Sequence, residues 1–161
     1  MKSIASEALF AGDYADQAYL TASNAADSAL FVVDSFPVSD GEGSYSATMI
    51  AELNRISLRA RAAAEEARKS SLASCEAGRV AKNLKLARKY ATPCYYNYQI
   101  NEELTAEVEA IRRAYSEAYN AYEKGHYALE IANETLESVK IAKEYVKKLE
   151  DENDTESLPT G

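Results

Sequence analysis

Ala8, Ala11, Ala15, Ala18, Ala22, Ala25, Ala29 and Val32 follow one another at steps of three and four residues. That alternation draws one narrow stripe along an α-helix. It constrains the fold more than any other feature, because alanine leaves little side chain between backbones and lets two helices approach closely. The helix is expected to end near Ser35, since Pro37 disfavours helical geometry in Phe36 before it. SDGEGS, directly after, reads as a loop.

A second helix is expected from about Tyr45. Met49, Leu53, Ile56, Ala60, Ala63 and Ala67 carry the same kind of seam. After Ser70 the stripe shifts by one position and resumes at Ala73, Ala77, Val80, Leu84, Ala87 and Ala91. The shift implies either a rotated packing face or a break near SSLASCEAG, where Gly78 is the weak point. Pro93 stops the helix. With three prolines and six glycines in 161 residues, long segments run without a breaker.

From Tyr98 onward, Leu104, Val108, Ile111, Ala114, Ala118 and Ala121 form a seam, and Ala128, Ala132, Thr135, Val139, Ala142, Val146 and Leu149 form another. Between them lies YEKGHYALEIAN, Tyr122 to Asn133. Glycine just past a helix end is a common left-handed cap, so Lys124-Gly125 is expected to be a turn. The spacing from Ala118 to Ala132 resembles the turn inside tetratricopeptide-like hairpins over about fifteen residues, and ALFAGDYADQA is a shorter variant. Neither a 34-residue period nor the tryptophan-leucine signature accompanies it, so no family is assigned.

A turn at Gly125 makes the chain an all-α, alanine-rich antiparallel bundle of about four main helices. The alternative is an extended coiled coil of long helices, because one internal glycine costs only about 1 kcal/mol. Residues 1–150 are expected to form one domain, and the polar DENDTESLPTG (151–161) a flexible acidic tail.

Chemistry is sparse. Glu123 and His126 stand as E-x-x-H, a spacing that bundle-type di-iron proteins use twice with further glutamates. Here there is one copy and one histidine in the whole chain, so no metal site is expected. Phosphate-cradling loops, zinc-type Cys/His spacing and a nucleophile elbow are all missing from the sequence. The expectation is a non-enzyme without cofactors. Cys75 and Cys94 are read as reduced thiols. The longest apolar run, Ala29 to Val33, is far too short to cross a bilayer, and Glu7 and Asp13 interrupt the first segment. A cytoplasmic protein without membrane contact is expected.

The formal net charge of −8 is unevenly spread. Residues 55–89 hold ten basic and three acidic side chains, a local +7, whereas 1–54 carry −7 and 100–161 carry −8. The first explanation is a basic helix lying between acidic neighbours. The functional one is an anion-binding stripe at Arg79, Lys82, Lys85 and Lys89. An overall acidic chain argues against nonspecific nucleic-acid binding.

Twelve tyrosines and no tryptophan stand out. Tyr115, Tyr119 and Tyr122 line one helix face, and Tyr90, Tyr95, Tyr96 and Tyr98 cluster around Pro93. Tyrosine suits half-buried positions beside an alanine seam, and it is also enriched where proteins bind one another. The expected function is therefore a helical interaction or assembly protein that binds a protein partner or itself. An acidic inhibitor or immunity-type protein docking on a basic surface is the second reading, and a metal-dependent bundle enzyme the third.

Overall fold

The computed structural model describes residues 3–37, 45–89 and 97–157, with the side chains at 88–89, 97–101, 103 and 153–157 outside that description. The described residues form three α-helices: α1 (Ile4–Ser35), α2 (Tyr45–Lys89) and α3 (Asn97–Ser157). Ser3 caps α1, its hydroxyl accepting the Ser6 backbone N–H at 3.1 Å. As expected from Pro37, α1 stops at Ser35, and the Phe36 N–H closes the last turn on the Val33 carbonyl at 3.3 Å.

The expected turn at Gly125 does not occur, nor does the break near Gly78 that was one of two alternatives for α2. α2 runs unbroken through Gly78, and α3 through Gly125, so the described chain has three helices where about four were expected. The reason at Gly125 is steric. A β-carbon there would lie 2.8 Å and 2.9 Å from two ring atoms of Tyr14 and 3.2 Å from the Ala15 Cα. Glycine stands there because another helix passes against the backbone, and its own backbone stays helical. α3 also continues to Ser157, taking in the first seven residues of the expected tail.

The helices divide into two compact units, each receiving a segment of all three. The first comprises residues 1–19 and 65–127. Its core is alanine throughout: Ala5, Ala8, Ala11 and Ala15 of α1, Ala77 and Ala81 of α2, and Ala110, Ala114, Ala118 and Ala121 of α3. α1 and α2 are antiparallel here, since Ser71 meets Gly12, Ser74 meets Ala8 and Gly78 meets Ala5. The Ser71 and Ser74 hydroxyls each donate to the facing α1 carbonyl at 2.6 Å. These bonds correct the expected shift of the α2 stripe. Ser70, Ser71 and Ser74 are buried and carry the seam onward to Ala77, while Val80 is exposed. Serine can occupy a core position here because α1 comes near enough for its carbonyls to satisfy the hydroxyls.

The second unit comprises residues 20–64 and 128–161. Its core uses larger side chains: Ala29, Val32 and Phe36 of α1, Leu53 and Ile56 of α2, and Val139, Ala142 and Val146 of α3. Tyr145 sits at one end, edge-on to Tyr45 at 5.0 Å and tilted against Phe36 at 6.1 Å. Ser57 donates to the Ala26 carbonyl at 3.1 Å, which repeats the device of the first unit. α2 and α3 run antiparallel in this unit, with Ser46 beside Tyr145 and Arg59 beside Glu134.

Candidate functional site

The phase of α3 in the first unit decides which of its side chains that unit shows to solvent. Two stripes compete along residues 104–122. One is small: Ala110, Ala114, Ala118 and Ala121, leading to Gly125. The other is large: Leu104, Val108, Ile111, Tyr115, Tyr119 and Tyr122. The small stripe is buried, with no residue more than 8% exposed. The large one faces outward at 40%, 46%, 38%, 64%, 67% and 36% in order. Leu104, Val108 and Ile111 were expected inside the seam, and the structure places them outside it. The physical cause is the alanine face of α1, which demands a partner equally thin; a Leu–Val–Ile ridge would hold the helices apart.

Tyr115, Tyr119 and Tyr122 share this outer face as the spacing required, but they are not equivalent. Tyr122 is tied down. Its hydroxyl donates to Glu7 Oε1 at 2.7 Å and its ring tilts against Tyr14 at 5.5 Å. The hydrogen bond to Glu7, then burial, push its phenol up to about 12. Tyr115 and Tyr119 make no hydrogen bond, ion pair or ring contact among the described residues. Phe10, 50% exposed, lies on the Glu7–Tyr14 side of α1 and adds to the apolar surface of this unit.

The basic segment of α2 splits in two. Arg55, Arg59, Arg61, Arg68 and Lys69 each meet a carboxylate: Glu52 at 2.5 Å, Glu134 at 3.1 Å, Asp27 at 2.5 Å, Glu65 at 3.9 Å and Glu66 at 3.7 Å. Only the Arg59 and Arg61 pairs cross between helices, and all are exposed, so each contributes at most a fraction of a kcal/mol. Arg68 also lies over the Tyr19 ring at 5.5 Å. Arg79, Lys82 and Lys85 are exposed and have no carboxylate within ion-pair distance among the described residues. They lie in the C-terminal third of α2. The Lys89 side chain lies outside the described residues, as do Tyr90, Tyr95, Tyr96 and Cys94; Tyr98 is placed only as a helical residue.

Beside this, the second unit has an open cleft of about 230 Å³ between α2 and α3. Tyr45, Met49, Leu53 and Ile141 line it, with Glu52 already bound to Arg55. Thr48 and Ser138 add hydroxyls to this lining, and its volume is small for a ligand pocket. His126 and Glu123 lie exposed on the unbroken α3, and among the described residues no group of three or more His, Cys, Asp or Glu is placed to hold a metal ion. No described helix is long and apolar enough to cross a membrane. No protein-family model, curated protein or solved structure matches this chain.

Proposed function

We propose that the protein is a helical interaction module whose docking face is the outer stripe of α3, Leu104 to Tyr122. One observation carries this reading: alanines fill the core of the first unit while its large apolar side chains stand outside. Folding ordinarily does the reverse, since burying a leucine or isoleucine stabilises far more than burying alanine. A row of large side chains left between about one-third and two-thirds exposed is the pattern of a surface that another protein covers. Tyrosines suit such a face, being broad, amphipathic and low in conformational entropy.

The acidic-inhibitor alternative draws less support. Asp27 and Glu134 are committed to Arg61 and Arg59, and Glu52, Glu65 and Glu66 to neighbouring cations of α2.

The test is the triple substitution Val108→Ser, Tyr115→Ser and Tyr119→Ser. The three side chains make little contact inside the molecule, so the urea midpoint and helicity should stay near wild type. Association, by sedimentation or by capture of a partner from native extract, should fall away. Association equal to wild type in the folded triple variant would remove α3 as the docking face.

A further inference from the structure

The outer stripe of α3 is ordered along its length. Aliphatic side chains come first, Leu104 and Val108, then Ile111, then aromatic ones, Tyr115 and Tyr119. We infer that this face is complementary to itself, and that its partner is a second copy of the chain, paired antiparallel about a two-fold axis at Ile111. The inference rests on the proposed reading of the stripe as a docking face and names what covers it.

Three observations support it. The first is register. Val108 lies three residues before Ile111 and Tyr115 four after it; Leu104 lies seven before and Tyr119 eight after. Turning one copy end for end about Ile111 brings Val108 level with the partner copy's tyrosine at 115, and Leu104 level with that at 119. Each pair matches to within one residue, about 1.5 Å. An aliphatic side chain then lies on a tyrosine ring on either side of a central pair of Ile111 side chains. A symmetric interface of this kind uses the same patch twice and closes at two copies.

The second is charge. Glu102, Glu107 and Glu109 precede Ile111, and Arg112 and Arg113 follow it directly. Glu109, Arg112 and Arg113 are exposed and form no ion pair among the described residues. A parallel register would bring the carboxylates of both copies to one level and their guanidiniums to another. The reversed register opposes the helix dipoles and sets Glu109 level with Arg113 of the other copy, although at about 100° per residue both point away from the stripe and form no pair across the contact.

The third is area. At the observed exposures, the six large side chains present on the order of 600 Å² per copy. Covering both faces removes about 1,200 Å², the lower end of stable interfaces.

The experiment is sedimentation over a dilution series, combined with disulfide mapping. Wild type should pass from dimer to monomer on dilution. The triple variant Val108→Ser, Tyr115→Ser, Tyr119→Ser should weaken the dimer by about tenfold or more, the effect of losing one aromatic anchor. In a Cys75→Ser, Cys94→Ser background, Ile111→Cys should cross-link to itself under mild oxidation. Leu104→Cys mixed with Tyr119→Cys should give a mixed dimer, while Tyr119→Cys alone should not. Self-linking of Tyr119→Cys with no mixed product would overturn the antiparallel register. A wild type that is monomeric at its highest soluble concentration would overturn self-pairing but leave the face open to a different protein. A dimer that the triple variant leaves unmoved would overturn the inference and the docking face together.

Discussion

The Tyr122 hydroxyl donates to the Glu7 carboxylate at 2.7 Å, tying α3 to α1 at the margin of the alanine seam. That hydrogen bond needs the phenol's proton, and it, then burial, then the carboxylate's charge push the phenol up to about 12 from its ordinary value of about 10. A pKa raised in the folded state gives stabilisation that is complete below the unfolded value. It is lost as pH rises through the folded one. The contact should therefore hold fully below pH about 10 and disappear on passing about 12. Absorbance titration of the tyrosines should lose its highest midpoint in Tyr122→Phe, and Glu7→Gln should lower that midpoint. An unchanged titration curve in both variants would show that the contact does not persist in solution.

Gly125 supplies a sharper test. Alanine is the better helix former, so inside an unhindered helix Gly125→Ala would stabilise by about 0.5–1 kcal/mol. The Tyr14 ring and the Ala15 backbone occupy the space, so overpacking should reverse the sign and cost about 1–3 kcal/mol. Tyr14→Ala removes the ring, and the cost of Gly125→Ala should shrink in that background. Urea melts of the two single variants and the double variant give the coupling directly. Additive costs would mean that Tyr14 does not stand over Gly125.

The α1 stripe should be equally intolerant of bulk. Ala18 and Ala22 are completely buried, whereas Asp16 is exposed. Leucine at Ala18 or Ala22 should cost about 1–3 kcal/mol, and leucine at Asp16 little. Equal tolerance at the three positions in urea melts would contradict the packing of α1 along its alanines.

Ser74 tests the polar part of the seam. Ser74→Ala removes the hydroxyl bound to the Ala8 carbonyl and should cost about 1 kcal/mol, because that carbonyl sits in a helix and the space is barely changed. Ser74→Val should cost more, since both methyls would press on α1. A variant with valine as stable as wild type would show that α1 and α2 are not in contact at this level.

Cys75 is a free thiol that burial, then the negative charge of Asp13, push above its ordinary value. Its alkylation near neutral pH should be slower than that of an unfolded cysteine, because the thiolate is the reacting form. Asp13→Asn should speed it. Alkylation at the unfolded rate would mean that α1 does not shield the thiol.

Much of this was legible in the residues. The alanine steps of α1 specified a close helix contact, Pro37 its end, and the spacing of Tyr115, Tyr119 and Tyr122 their common face. Each follows from local geometry: the helical period, the steric demand of proline, and the small volume of alanine. Three features needed the folded molecule. Periodicity cannot choose between two stripes on one helix when both recur at steps of three and four, so only the α1 surface could decide that Ala110, Ala114 and Ala118 go inward while Val108 and Ile111 stay out. Serine at 71 and 74 reads as an interruption until α1 carbonyls stand near enough to accept its hydrogen bonds. Gly125 reads as a cap because glycine permits both a left-handed turn and a backbone-to-backbone approach, and the nearness of Tyr14 and Ala15, far away in the chain, selects the second.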